Sequence, residues 1–210
     1  MPTPSAQATL AVLRDPALFK WYVIPLFAIV AYIYNVEAGR KNWGMVLAGL
    51  AFWGMDWVNE IANGLIFTFT NHAPVWGVAK DSAFVILMGL NIEICFMFAI
   101  AGIAFCKILP EDRNLKILGI PNRLFIAVMG SVFCVLVELL LNAAGALTWD
   151  WPWWNARVPY LIFVFGYMPF FLMSFYVHDL ADTKKQVRTV AGIYAVVIPA
   201  LVVFGALGWI

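Results

Sequence analysis

Four carboxylates lie inside apolar runs of this chain, and no lysine or arginine shares those runs: Asp56 and Glu60 in the second run, Glu93 in the third, and Glu138 in the fourth. An ionisable side chain at the centre of a bilayer costs roughly 2.5–3.5 kcal/mol on insertion scales. Groups kept at that cost face the inside of a helix bundle and mark a proton, ion or substrate site. Asp56 and Glu60 are four residues apart and therefore share one helix face. Asn59 with Asn63, and Glu138 with Asn142, repeat the spacing. Carboxyls crowded into one low-dielectric pocket cannot all ionise, so at least one is expected to keep its proton and serve as a general acid. Protonated carboxyls and asparagines can also join helices by hydrogen bonds alone. Four such acids in one small chain exceed what that structural role requires.

The elements that position these groups follow from composition. The sequence is 64% hydrophobic and only 12% charged, against about 25% charged in soluble domains. A chain of 210 residues this apolar cannot shield its surface from water, so lipid is its solvent. The expected fold is an all-α polytopic transmembrane bundle forming a single integral membrane domain over residues 1–210. A span needs about 20 apolar residues. Six runs qualify: Trp21–Val36, Met45–Thr68, Ala83–Cys106, Leu124–Ala146, Pro159–Val177 and Val190–Trp209. A seventh exists if the N-terminal segment also crosses. Cys95, Cys106 and Cys134 all fall within spans and read as small buried residues, not as a disulfide framework.

Loops one, three and five carry Arg40, Lys41, Lys107, Arg113, Lys116, Arg123, Lys184, Lys185 and Arg188, and the other side carries Arg14, Lys20, Lys80 and Arg157. The positive-inside rule then places loops one, three and five in the cytoplasm of a bacterial inner membrane or endoplasmic reticulum. In that orientation Asp56 and Glu93 lie near the midplane, and Glu60 and Glu138 in the outer half. The net charge of +1 gives no reason to expect nucleic acid. The outer rim is aromatic, with Trp76 in loop two and Trp149, Trp151, Trp153 and Trp154 in loop four. These rings form either an interfacial belt or a lid over an apolar pocket, where ring faces could stabilise a cation. Tyr160 and Tyr167 add aromatic surface in the fifth run, and Pro169 is expected to kink it. The two histidines, His72 and His178, fall on opposite sides, which excludes multi-histidine di-iron chemistry. No HExxH or GxSxG motif is present. No metal or cofactor is expected.

The segment beginning Gly44-Met45, with Trp57 and Glu60 following, resembles the integral-membrane terpene cyclases of fungal meroterpenoid and indole-diterpene pathways. It departs from them in having Val46 where a proline is expected and in placing Glu60 three residues beyond Trp57. Glu60 and Glu93 on successive helices, with Trp76 and Asp81 between them, also resemble the emopamil-binding sterol isomerases. There Asp56 stands where a histidine is expected. Either resemblance implies metal-free protonation of an alkene or epoxide in an apolar pocket.

The expected function is a membrane enzyme that cyclises or isomerises an isoprenoid- or sterol-like substrate taken from the bilayer. Glu60 is the expected acid with Asp56 tuning it, and Glu93 or Glu138 removes the terminating proton. Asn59, Asn63 and Asn142, with Trp57, Trp76, Tyr160 and Tyr167, are the expected substrate contacts. The alternatives are a proton- or cation-coupled transporter or channel subunit and a carboxylate-bridged metal oxidase, in which His72 would add a nitrogen ligand. A lipid- or pigment-binding subunit without chemistry is the fourth.

Overall fold

Without water, a backbone must satisfy its own hydrogen bonds, and helix does so within one segment. The computed structural model describes residues 1–78 and 82–210 and is predominantly helical. Its helices are α1 (Pro4–Val12), α2 (Val23–Gly39), α3 (Trp43–Thr70), α4 (Ile92–Lys107), α5 (Asn122–Ala143), α6 (Pro159–Asp179) and α7 (Thr183–Ala206). Among the described residues, α5, α6 and α7 are long and apolar enough to cross a membrane. Large apolar side chains stand exposed on their outer faces, among them Phe133, Leu136 and Leu140 on α5 and Val196, Val202 and Val203 on α7. That surface suits hydrocarbon and not water.

The six expected spans are matched in full only by those three. Helices α2 and α4 have 17 and 16 residues, short of the usual span. Helix α3 has 28 residues, ample length, but carries Asp56, Asn59, Glu60 and Asn63. It can do so because it is the central helix, wrapped by α4, α6 and α7. Its polar residues are thereby kept away from lipid. The N-terminal segment does not form a seventh span, since α1 has nine residues.

The third apolar run departs most from expectation. Its first residues, from Ala83, do not enter a helix. Val85–Leu87 (β2) and Leu90–Asn91 (β3) form a tight antiparallel hairpin, and the helix begins only at Ile92. Asn91 is the N-cap, its side chain accepting from the Ile94 N–H at 2.8 Å. That cap satisfies an orphan donor and fixes the start of α4. Glu93 therefore sits in the first turn of α4, not ten residues into a helix.

The loops gather at two ends. At one, Gly77–Val78 (β1) pairs with Leu147–Thr148 (β6), and α1 lies against them. The Thr3 N–H donates to the His72 carbonyl at 2.9 Å, and the Thr3 and Ser5 hydroxyls both donate to Asp150. The last residues of the chain reach the same end, where Thr68 donates to the Trp209 carbonyl. We call this assembly the cap. The opposite end holds the basic loops and the hairpin of Lys116–Ile117 (β4) with Ile120–Pro121 (β5).

At that basic end Glu37, beyond the first apolar run, is almost fully buried at 2% exposure. Lys107 Nζ lies 2.6 Å from its Oε1, and the Asn42 amide donates to Oε2 at 2.9 Å. The Lys107 hydrogen bond holds Glu37 below the ordinary carboxylate range, outweighing burial, which pushes the other way. A depressed carboxyl stabilises the fold at all pH values above its unfolded value, about 4.3, and loses that contribution as pH falls through its folded value. Lys107→Met leaves the buried Glu37 with only the Asn42 amide and the Arg40 guanidinium 3.8 Å away. Its thermal midpoint is expected to fall below wild type at pH 7. The gap is expected to narrow as pH drops below about 4, where Glu37 takes up a proton. A gap that is constant from pH 7 to pH 3 in detergent would assign the loss to packing alone.

Candidate functional site

Asp56, Glu60 and Glu138 line one cavity beneath the cap. Helix α3 supplies the first two on one face with Asn59. Helix α5 supplies Glu138 with Phe133 and Cys134, and α6 supplies Tyr167 and Phe170. Helix α4 contributes Ile94, Met97 and Phe98. Trp76 and Trp154 form the roof. Helices α4 and α5 barely touch each other. Met97 of α4 and Phe133 of α5 both line the cavity and both are exposed. The cavity has a volume of about 80 Å³. An apolar cavity of about 150 Å³ is enough for one benzene ring. The cavity is therefore a tight slot, smaller as it stands than the space one ring needs.

The kink in α6 shapes this slot. Pro169 lacks the N–H that would bond the Phe165 carbonyl one turn earlier. The preceding residues, Ile162–Tyr167, form a π-helical stretch. Asn59 Nδ2 crosses from α3 to donate to the Phe165 and Gly166 carbonyls at 3.0 and 3.3 Å. A loosened turn of this kind re-aims its side chains and occurs often at functional sites. Here it turns the Tyr167 hydroxyl onto Glu138 Oε2, to which it donates at 2.5 Å.

The cap reaches both acidic helices through indole N–H groups. Trp76 Nε1 donates to Glu60 Oε1 at 2.7 Å, and Trp149 Nε1 donates to Glu138 Oε1 at 3.1 Å. Trp154 stacks on Trp76 with ring centres 5.5 Å apart. Asn63 clamps Trp76 by its backbone: its amide donates to the Trp76 carbonyl at 2.8 Å and its oxygen accepts from the Val75 N–H at 2.6 Å. Gly89, in the β2–β3 turn, closes over the same place. A Cβ there would lie 2.3 Å from the Trp76 ring and 2.6 Å from the Asn63 amide, so the turn admits no side chain.

The three acids differ in their partners. Glu138 receives two donors, one on each oxygen. Glu60 receives one, and its Oε2 is buried without a partner. Asp56 Oδ2 is likewise buried without a partner. The donor count thus falls from Glu138 to Glu60 to Asp56, which prepares Glu138 best to hold a negative charge.

Of the other residues singled out in the sequence, Asn59, Trp76 and Tyr167 meet at the cavity. Asn63 and Asn142 hold the cap instead, Asn142 donating to the Leu147 carbonyl at 2.9 Å. Trp57 packs with Leu87, Leu90 and Cys95 on another face of α3, and Tyr160 points outward. Glu93 is not brought to the cavity: it accepts from the Ala83 N–H at 2.8 Å and from the Tyr22 hydroxyl. His72 packs edge-on against Trp151 in the cap. Among the described residues no three metal-ligating side chains converge, so the oxidase arrangement does not form. Asp81 and Lys80 lie outside the described residues. Trp149 and Trp154, expected from the sequence only as part of an aromatic belt or lid, are the loop-four rings that reach Glu138 and the cavity. Their signal was only their density in loop four, which an interfacial belt explains equally well.

A family profile described as an uncharacterized membrane protein family matches residues 3–206. An uncharacterized protein of Archaeoglobus fulgidus is 53% identical over 211 residues, covering 100% of both chains. A second uncharacterized protein of that organism is 41% identical over 54 residues, which is 25% of this chain and 96% of the relative. No solved structure matches. Nothing in these matches points to terpene cyclases or sterol isomerases, and the resemblance drawn from Gly44-Met45, Trp57, Glu60 and Glu93 is overturned. The separation of Glu93 from Glu60 removes its structural footing too. With the profile covering nearly every residue and a relative matching end to end, this chain belongs to that uncharacterized membrane protein family.

Proposed function

We propose that the cavity is an intramembrane acid–base site that shifts a double bond in a branched, chain-like lipid entering sideways between α4 and α5. One observation carries the reading: Asp56 and Glu60 each present an unpartnered buried oxygen to the same slot that a fully hydrogen-bonded Glu138 lines from across. Among the described residues Asp56 has no donor and Glu60 has one, on one oxygen only, so in these apolar surroundings the α3 pair carries the neutral acid. The α3 pair then gives a proton to one alkene carbon, leaving a cation on the more substituted carbon. The faces of Trp76, Trp154 and Tyr167 stabilise that cation. Glu138 removes a proton from the neighbouring carbon and forms the new double bond. The proton it has taken returns to the α3 pair, so the reaction is a net isomerisation without an oxidant. The narrow slot favours an extended chain over a sterol nucleus.

A conducting path would need polar groups running on toward the basic end. Below Asp56 the bundle is instead filled by Phe52, Phe98, Phe170 and Phe171, packed edge to face. The test is deuterium uptake. The purified protein in D₂O is given geranylgeraniol and a total membrane lipid extract, and products are read by mass spectrometry. A protein-dependent isomer carrying one deuterium is expected. Folded protein that labels no lipid in either preparation would remove the proposal and return the site to transport.

A further inference from the structure

A second cavity opens at the opposite, basic end, about 610 Å³ in volume. Its walls carry Arg40, Lys107, Arg113 and Arg123 against two acids, Glu37 and Asp179, with Glu111 at the rim. The two acids are already taken. Lys107 holds Glu37 at 2.6 Å, and Arg123 grips both oxygens of Asp179 at 2.9 and 3.1 Å. Arg40 and Arg113 approach the same carboxylates only at 3.8 and 3.6 Å. Arg113 instead spends one N–H on the Asp179 carbonyl. Both side chains are more than half exposed, at 69% and 54%. Two exposed guanidinium groups thus line the cavity, each paired only loosely with a carboxylate that a nearer cation already holds.

The depth of this cavity is set by its neighbours. Ile108, Leu115, Leu118 and Ile120 stand exposed on the loop and β4–β5 hairpin beside it, and Trp43 is exposed at the start of α3. Exposed apolar side chains and a tryptophan interleaved with cations belong at the headgroup layer. Guanidinium groups recognise phosphate oxygens in a fixed fork, which ammonium groups do not. We propose that this cavity binds a phosphate group, carried by an anionic lipid of the adjacent leaflet, between Arg40 and Arg113. The Lys107–Glu37 and Arg123–Asp179 pairs hold the walls in place. This site lies at the far end of the bundle from the carboxylate slot and does not depend on the reading given to it.

The test uses the full chain in detergent, examined by native mass spectrometry with phosphatidylglycerol or phosphatidylcholine of identical acyl chains. Wild type is expected to retain phosphatidylglycerol about tenfold better or more, the scale of two basic residues at an anionic surface. Arg40→Gln and Arg113→Gln, singly and together, are expected to erase that preference. Lys184→Gln with Lys185→Gln, at the same end but outside the cavity, is expected to keep it. Millimolar inorganic phosphate distinguishes the sources. Displacement of the lipid assigns the cavity to phosphate whether free or lipid-borne, and persistence assigns it to the lipid-borne group. Equal retention of the two lipids, or equal loss in the Lys184 and Lys185 variant, overturns the proposal. Circular dichroism on each variant confirms that loss of binding is not loss of fold.

Discussion

Glu60→Gln is expected to lower isomerising turnover by about 10²–10⁴-fold, the usual worth of a positioned acid, while leaving the thermal midpoint near wild type. The substitution preserves shape. Glu60 Oε1, which accepts from Trp76, has an equivalent in the glutamine carbonyl. Its other oxygen has no partner to lose. Asp56→Asn is expected to behave alike, because its free oxygen is also unpartnered. If the two acids share a single proton, the double variant is expected to be no slower than either single one, since groups acting as a unit are not additive. Glu138→Gln contrasts with both. Tyr167 and Trp149 each donate to it, so an amide must turn its NH₂ toward one of these donors. That variant is expected to lose stability as well as activity. Deuterium incorporation rates and melting curves on the same four proteins separate the cases. Full activity in Glu60→Gln would exclude it as the acid.

Gly102→Val is expected to yield no monodisperse protein at all. Helices α3 and α4 meet where Gly102 faces Gly49. A Cβ on Gly102 would lie 2.6 Å from the Phe52 Cβ, 3.0 Å from the Gly49 Cα and 3.2 Å from the Ala48 carbonyl oxygen. Two of these three atoms are backbone and cannot move aside without parting the helices. Phe52 is fully buried, locked by Phe98, Phe170 and Phe171. Small residues at such crossings let backbones approach, and packing replaces hydrophobic drive as the main attraction between helices in lipid. Overpacking of this kind costs upward of about 3 kcal/mol. Gly102→Ala places one methyl in the same clash and is expected to be intermediate. Size-exclusion profiles and melting temperatures in one detergent give the ranking; wild-type behaviour in Gly102→Val would mean the two helices are farther apart than described.

The membrane class and the α3 acid face were legible because each depends on local pattern. Asp56 and Glu60 at i,i+4 fix their shared face whatever surrounds the helix. Glu138 was legible as a buried acid, and its meeting with the α3 pair rests on tertiary packing that the sequence does not encode locally. Residues 83–91 were misjudged because Ala83–Leu90 is as apolar as the helix it precedes. Hydropathy reads apolarity and not backbone state, and only Asn91 with Glu93 behind it marks a helix start. That single error placed Glu93 in mid-helix, where the structure has it in the first turn of α4. The roles of Asn63 and Asn142 were hidden for a different reason. Each serves the backbone of the cap, and the partner of a side-chain-to-backbone bond leaves no trace in residue type. Residues of loops one, three and five meet at the basic end, where Arg40, Arg113 and Asp179 line one cavity.

Thr3 bonds Asp150 across 147 positions of the chain. The segment before α1 therefore fastens a loop far along the chain, and that loop carries Trp149 and Trp154. Through Trp149 and Trp76, the orientation of the acids waits on this closure. A contact between positions so far apart carries a large loop-closure cost, so the roof is expected to settle only after the helices beneath it have met.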